Sequence, residues 1–129
     1  MQKLQFESAW DKTISENDRE RIQQVFLETS SSQNKDIEFT PLWEAMNHKG
    51  ELLITVLVQN FSEQKISFHN EKLQYWEDEN IVAEHSFTLP ALMIEPSTSM
   101  PWTFIFPTDS FYSQPLLRNG KITFAEINS

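Results

Sequence analysis

The sequence has no cysteine, only two glycines, and no apolar run long enough to cross a membrane. Without cysteine there is no disulfide, no thiolate metal site and no cysteine nucleophile. Two glycines are too few for the glycine-rich loops that cradle phosphate groups. Because the first residues also lack the apolar core of a signal peptide, we expect a soluble protein that is not exported.

Positive charge is scarce as well. The 129 residues carry 19 acidic and 10 basic side chains, which gives a net charge of −9. Residues 1–35 hold six acids and five bases (−1), whereas residues 36–129 hold thirteen acids and five bases (−8). A surface of that sign repels phosphate backbones and anionic lipid, so we expect no nucleic-acid binding and no direct membrane insertion. A basic protein partner is its natural electrostatic complement.

What the sequence does have is apolar alternation. The segment Glu51–Gln59 (ELLITVLVQ) alternates with a period of two, and because its second face is also largely apolar, it predicts a strand in the middle of a sheet. From Asp36 onward, short apolar runs recur between turn signals, which indicates an antiparallel sandwich. The predicted strands are Ile37–Phe39, Leu42–Met46, Leu52–Gln59, Lys65–Phe68, Leu73–Trp76, Ile81–Phe87, Leu92–Ile94, Trp102–Phe106 and Lys121–Ile127.

Proline positions follow the same segmentation. A residue without a backbone N–H is excluded from central strands, so prolines are expected at the ends of strands. All six fall at the edges of the proposed runs: Pro41, Pro90, Pro96, Pro101, Pro107 and Pro115.

Upstream of the strands, Thr13–Thr29 predicts one amphipathic helix whose N-cap is Ser15. Trp10 is expected to fold the N-terminal arm onto the sheet, since a large aromatic ring is seldom left in water. The prediction is one mainly β domain over residues 1–129, an immunoglobulin-like antiparallel β-sandwich on which residues 1–35 pack as an arm and a helix.

No residue pattern marks a catalytic site. His48, His69 and His85 occupy three different predicted elements without metal-ligand spacing, so we expect no metal, no cofactor and no enzyme. The hydroxyls of Ser97–Ser99 have no glycine elbow around them. The acidic run Glu77–Glu79 lacks the alternating carboxylates of a calcium loop and is expected to be a solvated hairpin tip.

Four strings of the sequence carry a family resemblance. In order they are AWDKTISENDRERI, FTPLWEAMNHKGELLITVLVQNF, VAEHSFTLP and STSMPWTFIFP, and together they resemble the SLAP domain from about Leu4 to Phe106. The resemblance implies a non-catalytic protein-interaction module that assists secretion or assembly of surface-layer proteins in Bacillus-type bacteria, alongside an accessory Sec pathway. It also implies a cytoplasmic protein at the periphery of the secretion machinery. Its partner would belong to that machinery or be a surface-layer client, and the oligomeric state stays open.

The resemblance supplies no binding residues, so the candidates come from one turn, one aromatic residue and one loop of the predicted sandwich. Aromatic and proline-rich loops on a rigid sandwich are typical contact sites. For Trp43 and Trp102, packing in the core is favoured over an exposed contact, because large aromatic rings are seldom left in water. The predicted protein-binding residues are Trp43, Asn47, His48, Lys49, Pro96, Ser99 and Trp102. Binding would use an exposed sheet edge that pairs with an extended client, or an acidic face that holds a basic one.

Two other functions stay open. A small-ligand or carbohydrate-binding sandwich would need a concave apolar pocket with a few converging polar groups. A metal-dependent hydrolase would need at least two histidines and a carboxylate within coordination reach.

Overall fold

The computed structural model describes residues 2–31 and 36–125. The fold is mainly β, with 52% of the described residues in strands and two sheets packed face to face. The elements are β1 (Lys3–Leu4), α1 (Ser8–Thr13), α2 (Glu16–Thr29), β2 (Ile37–Met46), β3 (Leu52–Asn60), β4 (Ile66–Glu77), β5 (Asn80–Ile94), β6 (Thr98–Phe106), a 3-10 turn at Thr108–Ser110, and β7 (Gly120–Phe124). The predicted β-sandwich with an N-terminal helix is confirmed.

One sheet has four strands in the order β1–β6–β3–β2, and the other has three in the order β5–β4–β7. Strand β3 lies inside its sheet, as its two apolar faces predict. All pairs are antiparallel except β1 and β6, which run parallel.

Between the sheets lies an inner core of 16 buried residues, formed by the inward faces of strands β3 to β7. Its centre is aromatic: the ring of Phe104 stands 5.9, 5.7 and 5.3 Å, between centroids, from those of Phe39, Phe68 and Phe87. Phe104 and Phe106 are fully buried and Trp102 packs at the margin of this core, so the three residues share the inward face expected of them.

The helices cover the opposite face of the four-stranded sheet. Their contact forms a smaller outer cluster, in which Ile22, Val25, Leu42 and Leu57 are buried and Leu4, Phe6, Trp10, Ile14, Phe26 and Trp43 pack around them. Trp10 therefore folds the N-terminal arm onto the sheet, as expected. No helix in the described ranges is both long and apolar enough to span a bilayer.

The predicted helix is α2, and a shorter helix that was not predicted precedes it. Ser15 is an N-cap as predicted, since its hydroxyl accepts a hydrogen bond of 3.1 Å from the Asp18 N–H. A separate short helix, α1, precedes it and begins where the Glu7 carboxylate accepts from the Ala9 N–H at 3.0 Å. An ion pair of 3.0 Å between Arg19 and Asp11 joins the two helices.

Several predicted strands are continuous where the sequence suggested a break. The pairs 37–39 with 42–46, 65–68 with 73–76, and 81–87 with 92–94 form the single strands β2, β4 and β5. The interruptions are irregularities within a ladder. Register shifts at Pro41/Trp43, Ser67/Phe68 and Phe68/Glu71 insert unpaired residues without reversing the chain. The last predicted strand ends at Phe124, and its remainder from residue 126 lies outside the described residues.

Three prolines also lie inside strands, contrary to the prediction. Pro41 lies in edge strand β2 at a bulge, and Pro90 lies in edge strand β5. Pro101 lies in β6 opposite Leu57. The carbonyl of Ser99, two residues earlier, accepts from the Gln5 N–H on the β1 side, so the Pro101 nitrogen also faces away from β3. No ladder hydrogen bond is lost, and for this reason the proline is tolerated.

Candidate functional site

The four-stranded sheet is open along most of β6. β1 pairs with β6 only at Thr98 and Ser99, and no other described strand lies on that side of β6. Backbone groups alternate between the two sides of a strand, so those of Pro101, Thr103 and Ile105 face the open side together with those of Ser99. Because proline has no N–H, the donors on this edge belong to Thr103 and Ile105.

Beyond Pro101, nothing in the sequence of this edge interrupts it. Trp102–Phe106 contains no proline and no charged residue, its register with β3 is unbroken, and Ile105 is 45% exposed. Two other edges are blunted: β2 has a bulge at Pro41, and β5 is covered at Val82, whose carbonyl accepts from the Tyr112 N–H at 2.7 Å. Flat, uncharged edges are the ones that pair with another chain.

A groove of about 310 Å³ lies between the open edge of β6 and strand β5. It is lined by residues 85–89 and 102–105, none of which is Asp, Glu, Lys or Arg. The Phe87 ring forms its floor, edge-to-face with Phe104 at 5.3 Å and with His85 at 4.9 Å. Such a surface accepts an apolar side chain better than a charged one.

A second groove, of about 460 Å³, lies on the helix side of the same sheet. Trp10 and Trp43 line it together with Thr13, Ser15 and Asp18, so an apolar surface carries a few polar groups there. A third, of about 530 Å³, separates the edges of β2 and β7 beside Phe39 and Phe124.

The structure does not bring the predicted binding residues together. Trp43 belongs to the outer cluster and Trp102 to the margin of the inner core, on opposite faces of one sheet. The turn at Asn47 lies at the end of β3 where Leu52 pairs with Phe106. Pro96 precedes the opposite end of β6, where Thr98 pairs with Asn60. Their binding role stays a prediction.

Individually, these residues differ in what they offer a partner. The Asn47 side chain closes its turn by accepting from the N–H groups of Lys49 and Glu51 at 3.0 and 2.9 Å, and it leaves His48 and Lys49 exposed. Ser99 is fully buried and donates to Gln59 Oε1 at 2.8 Å. Trp102 lines the groove between β5 and the open edge of β6.

Glu77 is not part of a solvated tip, and the prediction for it is wrong. It is 5% exposed, and its carboxylate accepts from the Tyr75 hydroxyl at 2.8 Å and from the Leu116 and Leu117 N–H groups at 2.9 Å. Burial and this bond to Glu77 raise the pKa of the Tyr75 hydroxyl. Burial, and secondarily the charge of Glu77, raise the pKa of the Glu44 carboxyl. The physical reason is alternation: Glu77 continues the inward face of Tyr75, and its hydrogen bonds hold the loop between β6 and β7 against the sandwich.

Other titratable groups lie on the surface of β4 and β5. The pKa of the Glu84 carboxyl is lowered, chiefly by a hydrogen bond of 2.6 Å from Gln74. A hydrogen bond from the Tyr112 hydroxyl and the positive charge of Lys72 lower it further. Within residues 2–31 and 36–125, no three histidine or acidic side chains lie close enough to hold a metal ion.

Comparison with known proteins gives one family. A model of the SLAP domain matches residues 4–125, which is nearly the whole chain. No curated protein and no solved structure matches significantly. The family match extends beyond the segment in which the sequence strings resembled the family, and it now includes β7 and the loop that Glu77 anchors. The chain therefore belongs to the SLAP domain family, a family of secretion- or surface-associated domains.

Proposed function

We propose that this SLAP domain is a non-catalytic protein-interaction module that assists secretion or assembly of surface-layer proteins. The observation that supports it most is the open edge of β6, which stands beside an apolar groove in a chain of net charge −9. A sheet edge can hydrogen-bond the backbone of an extended chain irrespective of much of its sequence. A factor that handles polypeptides before they fold needs this property.

The partner is a component of the secretion machinery or a surface-layer client, and the domain acts in the cytoplasm at the periphery of that machinery. The charge of the domain supports a basic partner. Opposite charge steers association and makes the rate of encounter sensitive to salt.

The test is affinity capture from a bacterium that has SLAP-domain proteins, at low and at high ionic strength. We expect translocase or surface-layer proteins to be enriched at low salt and to be lost as salt rises. A matched variant carries Gln at Glu63 and Glu79 and Asn at Asp109, three exposed acids, which changes the net charge from −9 to −9 + 3 = −6. It should capture less at low salt. Enrichment of neither protein class would contradict the proposal.

A second candidate function has one observation in its favour. The groove between Trp10 and Trp43 combines two aromatic rings with the polar side chains of Thr13, Ser15 and Asp18, as sites for small ligands or sugars do. Titration of the domain with a panel of soluble oligosaccharides, followed by tryptophan fluorescence, tests it. If a Trp43→Phe variant binds an oligosaccharide with the same affinity as the wild type, the sugar does not bind in this groove.

A further inference from the structure

We propose that the open edge of β6 binds an extended segment of a partner protein by strand addition, and that this segment is basic with apolar residues at alternate positions. The inference rests on the proposed function, because it names how the module would hold its partner. It goes further in assigning the contact to particular backbone atoms.

The backbone of β6 sets the register of the added strand. On the open side, Thr103 and Ile105 each present an N–H and a C=O, and Pro101 presents a C=O alone. The side that faces β3 is already paired from Leu52 to Asn60. An added strand would therefore bond at Thr103 and Ile105 and lose a donor only at Pro101, next to the point where β1 ends.

The groove beside this edge sets the side chains. Residues of an added strand alternate between the two faces of the sheet. Those on the inner face would enter the groove between β6 and β5, against Trp102, Phe87 and Leu89. Burying apolar side chains there is favourable, whereas a charge would lose its hydration without a charged partner. Those on the outer face stay near Thr103 and the exposed side chain of Ile105 and can be polar or basic.

Charge decides between a partner and a second copy of this chain. A second copy would bring another net charge of −9 to the same edge, and the two would repel. A basic segment is attracted by the same field and needs no specific ion pair within the groove. The chemistry therefore favours a basic, extended partner over pairing between two β6 edges.

The probe is a synthetic peptide of about eight residues, longer than an average strand, in which lysine alternates with valine or phenylalanine. One control peptide has the same composition with the apolar residues grouped at one end. Two further control peptides carry backbone N-methyl groups, one on the lysines and the other on the apolar residues. One of these two sets of amides faces β6 in the added strand, and methylation of that set removes its hydrogen-bond donors. We expect the alternating peptide to bind. The grouped peptide and the peptide methylated on the set that faces β6 should each bind about tenfold more weakly or worse, because the first loses alternation and the second loses backbone donors.

Two proline variants test the edge itself. Thr103→Pro removes one donor and places a ring on the open side, and Pro101 shows that this side of β6 accepts proline. Its matched control is Thr103→Val, which loses the same 2.7 Å contact with the Thr55 hydroxyl but keeps the N–H. Ile105→Pro and Ile105→Val form a second pair at an exposed side chain. We expect the proline variants to bind about tenfold more weakly and the valine variants to stay within about twofold of the wild type.

Amide hydrogen exchange locates the contact. In the free protein, the amides of Thr103 and Ile105 should exchange much faster than that of Phe104, which faces β3, and the bound peptide should protect them selectively. Folded proline variants that bind as tightly as their valine controls would overturn the inference, and so would a wild type that binds none of the peptides.

The two proposals can fail separately. If Thr103→Pro captures the same secretion or surface-layer proteins as the wild type, strand addition is wrong while the proposed function stands. A dimer in sedimentation that Thr103→Pro abolishes would show that the occupant is a second copy and would overturn the assignment of a basic partner.

Discussion

The inner core and the outer cluster lie on the two faces of the same sheet, and they differ in how completely they exclude water. The inner core has 16 buried residues, including three fully buried rings, whereas the outer cluster has four buried residues surrounded by half-buried ones. Strand β3 serves both, with Ile54 and Val56 facing inward and Leu57 facing the helices. Most of the buried apolar surface, and so most of the hydrophobic stabilisation, thus belongs to the sandwich. The contact between the helices and the sheet buries much less.

The difference suggests a division of tasks. A well-packed sandwich holds the open β6 edge rigid, and rigidity lowers the entropy lost on binding an extended partner. The helix layer can open without destroying the sandwich, since regions with few buried apolar contacts are those that unfold locally. Four predictions test this comparison.

The largest effect is expected from Phe104→Ala in the inner core. The Phe104 ring is fully buried among three other phenylalanines, so its loss should lower the free energy of unfolding by about 3–5 kcal/mol. Denaturant unfolding measures it. Ile105→Ala is the control, because that neighbour is 45% exposed and should lose less than half as much. Equal losses would contradict the assignment of stability to the inner core.

Glu77→Gln should have the next largest effect, at one end of the inner core. The carboxylate accepts hydrogen bonds from Tyr75, Leu116 and Leu117. An amide would turn a donor toward at least one of these donors, so we expect a loss of about 2–3 kcal/mol. Glu79→Gln, two residues along the same hairpin, is exposed and should change the unfolding free energy by less than about 0.5 kcal/mol. If Glu77→Gln leaves the free energy of unfolding unchanged, the hydrogen bonds that anchor this loop add no stability.

Ile22→Ala tests the outer cluster. Ile22 is a fully buried residue of α2, and its truncation should lower the free energy of unfolding of the helix layer by about 2–3 kcal/mol. Hydrogen exchange should accelerate at the amides of α2 and much less at those of β3. Leu27→Ala on the same helix is 76% exposed and should change neither. Equal acceleration in β3 would show that the two layers unfold as one.

The smallest effect, with the opposite sign, is expected from Glu44→Gln. Burial, and then the charge of Glu77, raise the pKa of Glu44, so the folded protein holds this proton more tightly than the unfolded chain does. The stability it contributes is present below the unfolded pKa and is lost as pH rises through the folded value. The variant should therefore melt slightly higher than the wild type at neutral pH, and the two should converge in acid. A variant that is less stable at neutral pH would contradict this sign.

Local patterns were enough to predict much of the fold. The alternation of Leu52–Gln59 identified β3 and its central place, because successive residues of a strand point to opposite faces and both sets are apolar here. Ser15 identified the start of α2 through a bond to a residue three positions away. The six residues of α1 are too few to show a helical period. The break predicted between residues 68 and 73 is a bulge at Asn70, where φ is 54° and the N–H donates to the Thr88 hydroxyl. Polar residues such as Asn mark bulges and turns alike, so the sequence did not distinguish the two.

The candidate site was harder to predict, because an open edge is a property of pairing. Trp102 was singled out as an aromatic residue, yet only the register of β1 with Thr98 and Ser99 shows that β6 is free beyond them. Glu77 looked like the first of three exposed acids, since its partners Leu116 and Leu117 lie about forty residues away. The electrostatic expectation needed only composition, and its test remains the salt dependence of capture.

The parallel pairing of β1 with β6 has a consequence for biosynthesis. Lys3 is paired with Thr98, so the ribosome adds 97 − 3 = 94 residues after Lys3 before it adds Thr98. During that interval β1 has no strand to join, although the outer-cluster residues that pack around Leu4 and Phe6 are made earlier. The pairing of β1 can therefore form only after translation has passed β6, and a nascent chain arrested before that point should remain cleavable by protease at β1.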